Sequence, residues 1–139
     1  MKENNSKFFK TYFILMIIWA IIGLIDSLFI TGGKETYGQI NIVYALFIGT
    51  LEFAILVLSV ISIVIFVKNK FSKISLVLPI YHIVAAILIF VYGVLWGLTS
   101  AIQGNQIANQ SVTPELIVIG VILSLFELIF SGYVLNKFK

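Results

Sequence analysis

Long apolar runs separated by short polar segments dominate the chain. A helix needs roughly 20 mainly apolar residues to cross a bilayer, and four segments reach that length. They cover residues 11–30, 42–67, 74–98 and 116–135. The pattern therefore predicts an all-α integral membrane protein, in which the 139 residues form a single domain, a four-transmembrane-helix bundle.

Local signals refine the ends of these spans. The first segment follows lysines, as a signal peptide does, but its apolar stretch is longer than a signal core and no small-residue cleavage site follows Ile30. We interpret it as a retained span. The fourth span is predicted to begin at Thr113-Pro114-Glu115, because these residues suit an N-cap, a first helical position and the positive end of a helix. Pro79 predicts a bend inside the third span.

The composition agrees with a membrane protein and narrows the possible chemistry. Charged residues make up 11% of the chain, against about 25% in soluble domains, and the mean hydropathy is +1.11. The sequence has no cysteine, which excludes disulfides, thiolate metal sites and cysteine nucleophiles. All nine basic residues are lysines, so the guanidinium fork usual in phosphate recognition is missing. We therefore expect no nucleic-acid partner.

The lysines predict the orientation of the chain. Eight of the nine fall in the N-terminal tail, the segment 68–73 or the C-terminal tail, and only Lys34 lies on the other side. Short segments rich in lysine stay in the cytoplasm. We therefore expect a multi-pass protein of the plasma membrane with both termini cytoplasmic. The lysine-only basicity, with abundant isoleucine and asparagine, favours an AT-rich prokaryotic source.

Small and polar residues recur at steps of three and four in every span, which places them on one face of each helix. Helices in lipid associate through small residues, because these let two backbones approach closely. We expect such contacts inside the bundle or at an oligomer face. The expected packing residues are Gly23, Gly49, Gly93, Gly97, Gly120 and Ser124. The GxxxG pattern of Gly93 and Gly97 favours packing within the chain, with a dimer contact as the alternative.

Four ionisable residues inside the spans fall into two layers. Asp26 is 16 residues after Lys10 (26 − 10), and Glu52 is 16 residues before Lys68 (68 − 52). Both therefore lie roughly 24 Å along a helix from the lysine level. His82 lies nine residues beyond its nearest lysine and Glu127 ten before its own (82 − 73 and 137 − 127), or roughly 13–15 Å. We therefore expect an outer layer of two carboxyl groups and a deeper layer with a histidine and a glutamate.

Buried ionisable groups usually turn inward and pair, because isolated charge in lipid is costly. Glu127 can accept a hydrogen bond from His82, and Asp26 and Glu52 are expected to share a proton rather than both ionise. Each of these residues also has a purely structural explanation. Solvation at the interface is the favoured reading for Asp26, a structural hydrogen bond is favoured over a metal for His82, and both readings stay open for Glu52 and Glu127.

The sequence favours two functional classes, neither of them enzymatic. It has no zinc-protease motif, no nucleophile elbow and no phosphate loop, so we expect no enzyme, cofactor or metal. The first class is a non-catalytic accessory, stabilising or immunity-type protein that binds another membrane protein or a second copy of itself within the lipid bilayer. The alternative is a small proton- or cation-coupled transporter that uses the intramembrane carboxyl groups.

Overall fold

The computed structural model describes residues 2–104 and 111–137, with side chains from residue 6 onward. Within that part of the chain, the regular structure is helical apart from one isolated β-bridge. The four long helices are α1 (Lys2–Ile25), α2 (Ile42–Lys68), α3 (Val77–Ile102) and α4 (Pro114–Lys137). Four helical segments are long and apolar enough to cross a membrane. The prediction of an all-helical chain with four helices of membrane-spanning length is therefore confirmed, and such helices are typical of a multi-pass membrane protein.

Several helix boundaries differ from the prediction. Helix α1 begins well before residue 11, because its first turns carry Phe8 and Phe9, whose rings pack against Phe66 of α2. Helix α4 begins at Pro114, as the N-cap signal predicted. The predicted loop 99–115 is shorter at both ends, and its residues 105–110 lie outside the described part of the chain.

Three short helical segments flank the long helices. A π-helical segment, Asp26–Ile30, follows α1 directly, and 3-10 turns cover Tyr37–Gln39 and Lys73–Leu76. Pro79 is the third residue of α3, so it lies in the first turn, where backbone N–H groups have no partner within the helix. The bend predicted at Pro79 would thus fall at the start of α3, just after the change from 3-10 to α-helix.

The two ends of the bundle have different chemistry. The lysine end comprises the start of α1, the 68–73 connection and the end of α4, while the loop end comprises residues 31–41 and the described part of the α3–α4 connection. At the loop end the two connections touch: the Val112 N–H donates to the Glu35 carbonyl at 3.0 Å. The Tyr37 ring also packs edge-on against Trp96, with 5.4 Å between centroids. These contacts join the loop between α1 and α2 to α3 and α4.

Most fully buried apolar side chains lie near the lysine end. They form an aromatic cluster in which the Phe66 ring is the centre, 5.3 Å from Phe9, 5.8 Å from Tyr12 and 6.2 Å from Phe13. Phe71 stacks on Phe9 at 5.0 Å. The rings come from α1, from α2 and from the connection that follows α2. The cluster therefore packs α1 against α2 at the lysine end of the bundle.

The helices associate as two pairs. Helix α1 packs most extensively on α4, and α2 on α3, whereas α1 and α2 share a smaller contact. A Cβ atom added at Gly23 would lie 2.6 Å from the Ser124 Oγ atom, and one added at Gly120 would meet Ser27 in the same way. Small residues therefore let α1 and α4 approach closely at two neighbouring levels.

Three of the expected packing glycines lie at no close helix contact in the single chain. A Cβ atom added at Gly49, Gly93 or Gly97 would have no heavy atom of another residue within 4 Å, beyond its chain neighbours and its own helix backbone. The spacing of small residues marks a face of a helix, but whether a neighbour approaches that face depends on how the helices diverge. Of the expected packing residues, Gly23, Gly120 and Ser124 are the ones that lie at such close contacts in the described part of the chain.

Candidate functional site

A cavity of about 470 Å³ lies between the four helices. Its walls are mainly apolar, with aromatic side chains such as Trp19 and Phe53, and each helix also contributes small or polar residues. The four ionisable residues that the sequence places inside the spans all line this cavity: Asp26, Glu52, His82 and Glu127. The volume falls within the usual range of small-molecule sites, about 300–1,000 Å³.

Asp26 occupies the loop-end part of the cavity, at the first residue of the π-helical segment. Its Oδ1 atom accepts hydrogen bonds from the Tyr44 hydroxyl at 2.8 Å and from the Thr31 hydroxyl at 3.0 Å. Protein donors therefore hold this carboxyl group. Short π-helical segments are frequent at functional sites, and here the segment begins at the carboxyl group itself.

Glu52 lies on α2 and faces the same part of the cavity. Its carboxyl group interacts electrostatically with that of Asp26, in agreement with the equal depths of the two residues. Among the described residues no side chain donates a hydrogen bond to it. Glu52 is also exposed within the single chain, so its carboxyl group is free to contact a molecule in the cavity.

His82 and Glu127 form the deeper layer, on facing positions of α3 and α4. The His82 Nε2 and Glu127 Oε1 atoms are 3.3 Å apart, and both side chains are 8% exposed. The approach lacks hydrogen-bond geometry, and within the described residues neither ring nitrogen of His82 has a hydrogen-bond partner. The Tyr81 hydroxyl also interacts with the Glu127 carboxyl group. Buried polar atoms normally have a hydrogen-bond partner. The two ring nitrogens of His82 have none among the described residues, so they can bind a ligand or a water molecule.

Two serines lie close to the ionisable residues of the cavity. Ser27 follows Asp26 in the chain, and Ser124 is one turn from Glu127 on α4. Both line the cavity, each opposite a glycine of the partner helix. Their hydroxyl groups can donate and accept. Ser124 is 13 residues from Lys137 (137 − 124), so its hydroxyl group lies between the two carboxyl layers, which are roughly 10 Å apart along the helices.

The donors to Asp26 and the Tyr81 contact did not emerge from the sequence. The depth count places Tyr44 24 residues before Lys68 (68 − 44), well beyond the level of Asp26. A phenol hydroxyl lies several ångströms from its own backbone, so a count along one helix does not locate it. For the contact between Tyr81 and Glu127, the only sequence signal was that Tyr81 is next to His82 in the chain.

The carboxyl groups do not gather into a multidentate metal site. In residues 2–104 and 111–137, no group of three His, Asp or Glu side chains is placed to hold a metal ion. Comparisons of the chain with protein families, with curated proteins and with solved structures find no match. The functional argument therefore rests on the cavity and its ionisable groups.

Proposed function

We propose that the protein is a small carrier that binds a monovalent cation in the central cavity in exchange for protons. The observation that supports this best is the convergence of Asp26, Glu52, His82 and Glu127 on one cavity of about 470 Å³. The four residues come from four different helical segments. Polar residues that only fixed the register of neighbouring helices would be expected to pair locally, without a shared space between them.

The charge balance of the cavity provides the coupling. Three carboxyl groups face one imidazole, and no lysine lines the cavity. Ionised carboxyl groups in a low-dielectric interior cost several kcal/mol when nothing neutralises them. Either protons or a bound cation must therefore compensate the carboxylates, and binding of the cation favours release of protons. Competition for the same negative charges is the minimal requirement for proton-coupled exchange.

The four groups have distinct roles in this proposal. Glu52 contacts the cation, because its carboxyl group is exposed and no described residue donates to it. Asp26 supplies fixed negative charge, held by the Tyr44 and Thr31 hydroxyl groups. Glu127 and His82 hold a proton in the deeper layer. Aromatic walls add attraction for a cation, since the face of a ring is electron-rich.

The proposed orientation is that predicted by the lysines: both termini and the 68–73 connection lie in the cytoplasm, and the loop end faces outward. We also propose that the protein resides in the plasma membrane of a prokaryotic cell, the source that its composition favours. In this orientation the aromatic cluster around Phe66 lies on the cytoplasmic side of the cavity, and we propose that it acts as the inner barrier. Transport requires a second conformation in which those rings move apart.

Flux into liposomes tests the carrier proposal. Purified protein is reconstituted with a pH-sensitive dye inside, and sodium, potassium or tetraphenylphosphonium is added outside. We expect at least one cation to drive proton movement, and Glu52→Gln and Glu127→Gln to abolish it. An amide keeps the size and hydrogen bonding of the acid but cannot exchange a proton. Glu115→Gln is the matched control, because Glu115 is exposed in the first turn of α4 and away from the cavity.

A second candidate, the accessory or immunity-type partner, is favoured by one observation on α3. Gly93 and Gly97 lie on a small-residue face where, among the described residues, no other helix comes within 4 Å of an added Cβ atom. Such a face suits close approach by a helix of another membrane protein or a second copy. Purification in mild detergent that yields a stoichiometric partner, lost in Gly93→Leu but kept in Val94→Leu, would support it. No proton flux from the unaltered protein, together with that partner, would refute the carrier proposal.

A further inference from the structure

The outer surface between α3 and α4 carries an apolar groove that adjoins the central cavity. Helices α3 and α4 make less contact than either close pair in the bundle. The gap between them forms a groove of about 830 Å³, with Leu76, Ile80, Val84 and Leu88 along one wall and Leu123 on the other. Several of these side chains are exposed in the single chain, so the groove opens towards the surrounding lipid.

One end of the groove is positively charged. Lys73 is among its lining residues, none of which is acidic. Two more lysines, Lys68 and Lys70, lie in the same short connection. Basic residues next to a membrane span attract anionic lipid headgroups, by about 1 kcal/mol for each lysine near the surface. The groove is therefore apolar along its length and carries a site for a negatively charged headgroup at its Lys73 end.

The length of the groove matches one leaflet. Lys73 and Leu88 are 15 residues apart (88 − 73), which is about 22 Å along a helix. Half of a bilayer, with its headgroup layer, is about 20–22 Å thick. A phospholipid whose phosphate lies at Lys73 would thus extend an acyl chain over the whole apolar part of the groove.

We propose that the α3–α4 groove binds one anionic phospholipid of the leaflet at the lysine end, with its phosphate on Lys73 and an acyl chain between the helices. Tyr81, Ala85, Ile89 and Leu123 line both this groove and the central cavity. The acyl chain therefore forms the outer layer of the cavity wall where α3 and α4 do not meet. This inference does not depend on the carrier proposal.

Native mass spectrometry of delipidated protein tests the inference, with phosphatidylglycerol and phosphatidylcholine as the two lipid probes. We expect one phosphatidylglycerol to be retained in preference to phosphatidylcholine. Lys73→Gln should weaken that binding about fivefold, the effect of one lysine near the headgroup. Lys70→Gln, which removes the same charge from a residue outside the groove, should weaken it less than Lys73→Gln does.

The apolar half of the groove has its own test. Val84→Trp places a large ring in the groove and should reduce retention of phosphatidylglycerol. Val60→Trp is the matched control, because Val60 on α2 is 49% exposed, against 48% for Val84, and lies outside the groove. Equal retention of the two lipids, or equal effects of Lys73→Gln and Lys70→Gln, would overturn the proposal. Equal effects of the two tryptophan variants would also overturn it.

Discussion

The contact between Gly23 and Ser124 gives a prediction whose size follows from the structure. An alanine Cβ atom at Gly23 would lie 2.6 Å from the Ser124 Oγ atom but 3.6 Å from its Cβ atom. The first distance is too short for any contact, whereas the second is ordinary van der Waals contact. Gly23→Ala must therefore displace the hydroxyl group or separate α1 from α4, and overpacking of this kind costs about 1–3 kcal/mol.

Removal of the serine hydroxyl should abolish that cost. In a Ser124→Ala background, Gly23→Ala adds only the ordinary contact, so the two substitutions should be coupled by about 1–2 kcal/mol. The gain in helix propensity from glycine to alanine, about 0.5–1 kcal/mol, cancels because both arms of the cycle contain it. Gly132→Ala is the control for that gain, since a Cβ atom there would have no neighbour within 4 Å.

The free energy of unfolding, measured in mixed micelles with increasing dodecyl sulfate and followed by circular dichroism, is the readout for all four proteins of the cycle. Additive effects of Gly23→Ala and Ser124→Ala would show that α1 and α4 do not meet at this level. The reciprocal pair, Gly120 and Ser27, provides an independent repeat of the same cycle.

Three further predictions follow from the fold and the site. A cysteine at Ser72 should resist an impermeant thiol reagent added outside intact cells, whereas one at Glu35 should react; labelling of Ser72→Cys would contradict the orientation. Tyr44→Phe should lower the free energy of unfolding by about 0.5–1.5 kcal/mol, because it removes a donor to Asp26; an unchanged value would refute that contact. Gly93→Leu should not destabilise the isolated chain, since nothing lies within 4 Å of the added Cβ atom; clear destabilisation in dilute detergent would indicate a contact that the single chain lacks.

The sequence contained much of the architecture because lipid imposes strong constraints on it. A span must be long and apolar, so four helices could be counted, and the N-cap signal located the start of α4 at Pro114. Depth along the helices was also informative. The structure brings His82 to 3.3 Å from Glu127, and residues measured from lysines at the same end of the bundle share a level whatever the order of the helices.

The way the helices pack against one another could be predicted less well from the sequence. Periodicity shows which face of a helix is polar or small, but not which neighbour covers it or at what distance. Gly23 and Gly120 therefore lie at close contacts while Gly49 and Gly93, in equally regular patterns, do not. The π-helical segment at Asp26 depends on a backbone choice over one turn, for which the sequence carried no signal.

Proton release on cation binding tests the central claim most directly. Purified protein in weakly buffered detergent is titrated with the cation that drives flux, while bound cation and released protons are measured together. We predict saturable binding accompanied by release of protons, with both lost in Glu52→Gln and both kept in Glu115→Gln. Saturable binding without proton release, or release that persists in Glu52→Gln, would contradict the account.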